Sequence, residues 1–175
     1  MKKSKNITTF TGLLPQEEML EVKKHFKSLY IGIPKEISYQ ENRVSLSPDA
    51  VALLVSNGHK IVIEKGAGVN ANFSDEDYSH SGATIVYNIK DVYKANVILK
   101  IEPPTTSEIK MMQKGQTLIS ALQLTTIDEK YINLLLKSEI TALAYEYIKD
   151  ENSILSLIRS ISEIAGNTAI LIAAE

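Results

Sequence analysis

One arginine in a polar loop is well suited to bind a carboxylate. Arg43 follows an apolar run at residues 29–33 and precedes Ser47-Pro48, where Ser47 can cap a helix and Pro48 suits its first position. In an open parallel sheet the loops after the strands form the ligand crevice, and a guanidinium can hold a carboxylate through two parallel hydrogen bonds. The pattern predicts a carboxylate anchor at Arg43, although a solvated arginine in a surface loop fits it too.

Two more charged side chains lie at the end of a second apolar run, at residues 96–101. Lys100 and Glu102 are two residues apart, so a strand would direct both to the same face, and Pro103-Pro104 would end its pairing. We expect Lys100 to line the same crevice as Arg43. Lys100 and Glu102 could also pair with each other.

A glycine motif at residues 66–71, Gly-Ala-Gly-Val-Asn-Ala, matches the dinucleotide-binding pattern but not its context. That pattern requires a helix that begins at the glycines and an acidic residue at the end of the next strand, about 20 residues further on. Here the next predicted helix start is at Ser74, and the predicted strand at residues 84–87 ends without an acid. We therefore expect a tight turn.

The composition limits the possible functions. The chain has 175 residues, is 44% hydrophobic and carries a net charge of −2, which fits one α/β domain and argues against a nucleic-acid or anionic-membrane partner. It contains no cysteine, and its three histidines (His25, His59 and His80) lack ligand spacing, so we expect no metal site. No apolar run reaches the ~18 residues of a membrane helix, and no secretion signal is present. We expect a cytoplasmic protein.

From residue 29 onward, strand-like and helix-like segments alternate, which is typical of a mostly parallel sheet with helices on both faces. Strands are predicted near residues 29–33, 60–64, 84–87, 96–101, 117–122 and 140–144. Helices are predicted near residues 48–56, 75–80, 89–94, 106–113 and 127–137. Capping boxes at Ser74…Asp77 and Thr126…Glu129 mark two of the helix starts.

The two ends of the chain differ from the middle. Residues 1–28 combine a polar start with weak helical spacing, which is most simply explained as a packing helix. Near the other end, Ser160…Glu163 predicts a capping box, and residues 165–174 are then apolar on almost every face. A helix that is apolar all round must be buried by something.

Several of these stretches, in this order, resemble the alanine dehydrogenase and pyridine nucleotide transhydrogenase family. The resemblance covers about residues 29–175. The matching stretches are IGIPKE (31–36), ENRV (41–44), SPDAV (47–51), NGH (57–59), GAG (66–68), FSDEDY (73–78), GA (82–83), ILK (98–100), AYE (144–146) and SEIAG (162–166).

The resemblance implies three segments and a Rossmann-like or flavodoxin-like substrate domain. Residues 1–28 would be an N-terminal extension, 29–159 the family's N-terminal domain, and 160–175 the start of a linker helix to a separate NAD-binding domain that is missing here. NAD would be held mainly by that second domain. The partners implied are a small amino or oxo acid and further copies of the chain in a homo-oligomer.

The resemblance also implies site residues, two of which depart from the family. Glu102 stands where alanine dehydrogenases carry a substrate-holding lysine, and Gln123 stands at the position of their catalytic histidine. An amide cannot exchange a proton near neutral pH as an imidazole does. The resemblance places a dinucleotide contact at Ser162, where free amides at a helix start would suit a phosphate.

The activity implied is the reversible oxidation of L-alanine by NAD to pyruvate and ammonia, with the present chain inactive by itself. Gln123 fits a transhydrogenase better, because hydride passes there between two nucleotides without a protein acid or base, whereas residues 148–160 do not reproduce the Arg, Gln and Asp loop of that branch. A third hypothesis is a binding module that keeps the fold without the chemistry.

Overall fold

The computed structural model describes residues 27–174, and its centre is a six-stranded parallel sheet. The strands are β1 (Tyr30–Ile33), β2 (Lys60–Glu64), β3 (Thr84–Val86), β4 (Val97–Leu99), β5 (Thr117–Ser120) and β6 (Thr141–Ala144). They lie in the order β3-β2-β1-β4-β5-β6, and every neighbouring pair is parallel. The predicted parallel α/β fold is confirmed. The order reverses between β1 and β4, and ligands of open α/β sheets bind beside such a switch point.

Within the part of the chain that the structure describes, six helices connect or follow the strands. They are α1 (Pro48–Ser56), α2 (Asp75–His80), α3 (Ile89–Val92), α4 (Thr106–Ile109), α5 (Glu129–Lys137) and α6 (Ser156–Ala173). Short 3-10 turns occupy Val69–Ala71 and Tyr145–Tyr147. Within residues 27–174, no helix combines the length and the apolar character that crossing a membrane would need.

The sheet separates two apolar cores. On one face Ile61 and Ile63 pack with Val51 of α1 and Tyr78 of α2, whereas Val62 faces the second core on the other side. This alternation is the period of two that a strand imposes on its side chains. Both faces are thus covered, as a parallel sheet requires.

Several predicted boundaries need correction. The capping box of α2 is present, with Asp77 N donating to Ser74 Oγ at 3.1 Å. The one predicted at Thr126 is wrong, because Asp128 caps α5 by accepting from Tyr131 N. Strands β4 and β5 end two residues earlier than predicted, and α4 ends at Ile109.

The predicted start of α6 at Ser160 is also wrong. The helix begins at Ser156, and Ser160 Oγ donates to the Ser156 carbonyl inside it. The Asp150 carboxylate accepts from Asn152 N and Ile154 N, which completes a turn before Ser156 and lets the helix begin there. Along α6, Ile164, Ile170, Leu171 and Ile172 are exposed. His25 lies outside the described residues, and so does the expected packing helix of residues 1–28 except for residues 27 and 28.

Gly32 gives a test of the packing of β1 on α3. A Cβ there would lie 2.6 Å from the Val92 carbonyl oxygen and 3.0 Å from Ala95 Cβ. We expect Gly32→Ala to lower the free energy of unfolding by about 1–3 kcal/mol through overpacking. Gly166→Ala is the control, because a Cβ on that helical residue meets no described atom within 4 Å and should stabilise by about 0.5–1 kcal/mol. Urea denaturation followed by circular dichroism measures both, and equal effects would contradict the close approach.

Candidate functional site

Two adjoining cavities lie beyond the carboxyl ends of β4, β5 and β6 and share Arg43, Tyr145 and Ile161. The first, about 410 Å³ and here called the apolar cavity, is lined mainly by Val44, Leu46, Leu99, Ile101, Ile119, Ile148 and Leu157. The second, about 370 Å³ and here called the polar cavity, has as further lining residues Glu102, Ala121, Gln123, Thr125, Thr126, Glu146, Tyr147 and Ile158. The structure therefore brings Arg43, Glu102 and Gln123 together.

Arg43 is paired with a carboxylate that the sequence analysis did not single out. Its Nε donates to Glu41 Oε1 at 2.8 Å and its Nη2 to Glu41 Oε2 at 2.5 Å. These hydrogen bonds raise the pKa of Arg43 and lower that of Glu41. The Arg43 side chain is 53% exposed and that of Glu41 only 7%. Its Nη1 donates to no described residue, so one edge of the guanidinium remains available to a ligand.

Glu102 is a second carboxylate near Arg43. Its Oε1 is 3.8 Å from Arg43 Nη2, and its Oε2 accepts from Gln123 Nε2 at 3.2 Å. Gln123 has a positive φ of 49°, and its backbone N–H and that of Leu122 both donate to Glu146 Oε1. The Glu146 carboxylate thus holds the turn after β5 that presents Gln123 to Glu102.

Lys100 does not pair with Glu102. Its Nζ lies 3.0 Å from Glu36 Oε2 and 3.1 Å from Glu108 Oε1, and its side chain is 1% exposed. The alternation assumed for Lys100 and Glu102 fails because β4 ends at Leu99 and the chain bends at Ile101 and Glu102. Lys100 enters the interior, although part of it lines the apolar cavity.

We call Glu36, Lys100 and Glu108 the buried ion cluster. Glu36 Oε1 also accepts from Ile101 N at 2.6 Å, and Glu108 accepts from Tyr93 Oη at 3.1 Å. Burial alone would raise the pKa of Glu108, but the charge of Lys100 and the hydrogen bonds from Thr105 lower it overall. Burial, with the nearby Glu108 charge, raises the pKa of Tyr93. The cluster joins the loop after β1 to the end of β4 and to α4.

Tyr145, the first residue of the 3-10 turn after β6, contacts the segment that follows β4. Its Oη donates to the Ile101 carbonyl at 2.8 Å. Burial raises the pKa of Tyr145 although the Arg43 charge opposes the shift. Both backbone groups of Ile101 are therefore bonded to side chains, one to Glu36 and one to Tyr145, which fixes the position of the adjacent Glu102.

The glycine motif is a turn, as predicted. Gly66 N donates to Asp75 Oδ1 at 2.8 Å, so a carboxylate already occupies an amide that a phosphate would need. A Cβ on Gly68 would lie 2.5 Å from the Tyr78 ring, which explains the second glycine by packing. This loop does not fit a dinucleotide.

Ser162 lies inside α6 and is exposed, well beyond the first turn that begins at Ser156. The expectation of free amides at Ser162 is therefore wrong, because the helix starts earlier than the sequence suggested. A dinucleotide contact at Ser162 stays a prediction. Across residues 27–174, no group of three or more acidic, histidine or cysteine side chains could hold a metal ion.

A parallel α/β sheet with an arginine, an acid and an amide around a cleft at its carboxyl edge defines an open α/β domain, the class of fold in which ligands bind at that edge. Residues 32–165 match the family model described as alanine dehydrogenase/PNT, N-terminal domain. The chain belongs to this alanine dehydrogenase/PNT family, of which it contains the N-terminal domain.

Similar proteins agree with this assignment. Alanine dehydrogenases of Staphylococcus saprophyticus and Bacillus subtilis are 38% and 37% identical over 84% of this chain. A solved L-alanine dehydrogenase superposes with a TM-score of 0.77 at 39% identity over 81% of this chain and 39% of its own. The transhydrogenase from Sinorhizobium meliloti superposes with a TM-score of 0.64 at 30% identity, over 67% of this chain and 35% of its own. The chain spans about two fifths of the length of these curated relatives, 39% and 38%.

The buried ion cluster can be tested by removing its cation. Lys100→Met would leave two buried carboxylates facing each other, and breaking a buried pair costs about 3–5 kcal/mol. Because folding lowers the pKa of Glu108, its ionised carboxylate stabilises the folded wild type at pH values above the pKa that Glu108 has in the unfolded chain. This stabilisation is lost as the pH falls through the pKa of Glu108 in the folded chain. In Lys100→Met, acidification should instead reduce the loss of stability relative to the wild type, since protonation of a carboxylate relieves the repulsion between Glu36 and Glu108.

Denaturation midpoints of the wild type and Lys100→Met between pH 4 and 8 measure this difference. Lys110→Met is the matched control, because Lys110 is exposed and should change stability little. A loss that does not depend on pH would indicate that Lys100 acts only through packing.

Proposed function

We propose that this chain is the substrate-side domain of an NAD-dependent oxidoreductase that interconverts an amino acid and its oxo acid, with L-alanine and pyruvate as the first candidates. The observation that carries the proposal is Arg43, whose free guanidinium edge lies in a cleft beside Glu102 and Gln123. The names of the similar proteins support the substrate pair.

Arg43 is the proposed anchor of the substrate carboxylate. Glu102 and Gln123 are proposed to face the reacting end, at the positions of the family's lysine and histidine. Lys100 is proposed to act through its ion cluster, which holds Ile101 and Glu102 in place, since its own ammonium is enclosed by two carboxylates. Gln123 can donate and accept hydrogen bonds but neither takes up nor releases a proton between about pH 5 and 8. We therefore propose that this chain binds the substrate and is inactive alone.

NAD belongs to the proposed activity, but the described residues do not fit it. The amide of Gly66 is bonded to Asp75, and Ser162 lies in the interior of a helix. We propose that NAD is held mainly by a part of the family's chain that this sequence does not match. The remaining three fifths of the relatives' length leave room for such a domain.

A transhydrogenase-like function is the second candidate. Gln123 favours it, because hydride transfer between two nucleotides needs no acid or base from the protein. The likeness to the Sinorhizobium meliloti transhydrogenase is compatible with it. Binding of a free amino acid separates the candidates, since only the dehydrogenase takes one as substrate. The third candidate is a binding module that keeps the fold but catalyses no reaction.

Removing the arginine tests the anchor. Arg43→Ala should weaken binding of L-alanine and pyruvate by about 1.5–3 kcal/mol, the usual contribution of hydrogen bonds to charged groups. Arg43→Lys should restore this only in part, because a point charge does not reproduce two parallel bonds. NMR titration of the 175-residue chain measures both affinities. Arg159→Ala, which removes an exposed arginine of α6, is the control. Unchanged affinity in Arg43→Ala would show that Arg43 is a surface charge of the loop and not the anchor.

The cofactor proposal makes a separate prediction. Titration of NAD into the 175-residue chain should give no saturable heat at micromolar concentrations, because the candidate loop is occupied by Asp75. Asp75→Asn should not create binding, since the loop leads into a 3-10 turn and not directly into a helix. Micromolar binding by the wild type would show that these residues hold more of the cofactor than we propose.

A further inference from the structure

The Arg43 guanidinium contacts two carboxylates of this chain, Glu41 and Glu102. The edge formed by Nε and Nη2 is bonded to Glu41, as described above. The end formed by Nη1 and Nη2 is near Glu102 through that same Nη2, which lies 3.8 Å from Glu102 Oε1, while Nη1 donates to no described residue. A ligand carboxylate bound at that end would therefore lie next to Glu102, and a pure anion would be repelled by it.

No other cation in the described cleft neutralises Glu102. Lys100 is bonded to Glu36 and Glu108 inside the buried ion cluster, and the neighbour that donates to Glu102 is the uncharged Gln123. Arg43 is shared between Glu41 and Glu102, so these three side chains together carry one excess negative charge.

A second carboxylate of the polar cavity is also incompletely satisfied. Glu146 Oε1 accepts two backbone hydrogen bonds, but its buried Oε2 has no partner among the described residues. Glu146 lines the polar cavity together with Glu102. The cavity therefore has an excess of hydrogen-bond acceptors and negative charge, which suits a ligand that brings donors and a positive charge as well as a carboxylate.

We propose that Glu102 binds the ammonium group of an α-amino acid whose carboxylate is held by Arg43. The two groups of such a zwitterion are attached to one carbon, so they can reach two protein groups that are as close as 3.8 Å. Gln123 Oε1 is available as a further acceptor, since Gln123 uses its Nε2 to donate to Glu102. This inference rests on the proposed function and adds to it that the site selects the amino acid over the oxo acid.

The test compares three-carbon carboxylates that differ in the group on the α-carbon. Propionate is L-alanine without its ammonium group, and pyruvate carries an oxo group in its place. In the 175-residue chain, the side-chain amide signals of Gln123 report on binding beside Glu102. We expect L-alanine to bind about tenfold more tightly than propionate or pyruvate, a ratio that corresponds to 1.4 kcal/mol.

Glu102→Gln should remove this preference by weakening L-alanine about tenfold, while propionate and pyruvate bind as well as before or better. Glu102→Lys should reverse the preference, because a second cation beside Arg43 favours the pure anions. Glu102 is partly exposed, at 26%, so both variants should fold, which their NMR spectra show directly. Glu76→Gln on α2 is the control for loss of an exposed glutamate outside the cleft.

The outcomes separate the two proposals. If L-alanine and pyruvate bind through Arg43 but Glu102→Gln changes neither affinity, the role of Glu102 is overturned and the proposed substrate site stands. If the chain binds none of the three probes, the proposed substrate site fails and the role of Glu102 fails with it. An L-alanine preference that Glu102→Gln abolishes and Glu76→Gln leaves intact establishes the inference.

Discussion

The position of Lys100 between Glu36 and Glu108 is the interaction on which the candidate site depends. An ammonium in the interior is costly unless opposite charges and hydrogen bonds surround it, and here two carboxylates lie within 3.1 Å. The same carboxylates bond to Ile101 N and to the start of α4. The cluster therefore fixes where β4 ends and how the chain leaves it, and Glu102 follows directly.

This arrangement separates the charges of the domain into two groups with different tasks. The enclosed group of Glu36, Lys100 and Glu108 is structural, because its side chains are 1–4% exposed. The open group of Arg43 and Glu102 lies at the cleft, where their side chains are 53% and 26% exposed, so solvent and ligands can reach them. Because Glu36 and Glu108 hold the ammonium of Lys100 in the interior, Lys100 does not neutralise Glu102 in the cleft.

The apolar residues of α6 form a third feature, distinct from the charges. Leu157 and Ile161 line the apolar cavity, while Ile164, Ile170, Leu171 and Ile172 are exposed on the helix. The sequence indicated that a helix of this composition must be buried, and the described residues do not bury it. The first half of α6 thus contributes to the cleft, and the second half lines neither cavity.

The sequence alone determined the parallel sheet, because the β-branched runs and the helix signals between them are local patterns. It also indicated Arg43 in the loop after β1, since strand, loop and helix cap are contiguous there. The tertiary structure decided the partners of each charge. Glu36 and Lys100 are 64 residues apart, and no local pattern predicts that they meet. Periodicity placed Lys100 and Glu102 on one face, but the bend after Leu99 separated them. Which charges are enclosed and which face the cleft depends on contacts between distant segments, and these exist only in the folded chain.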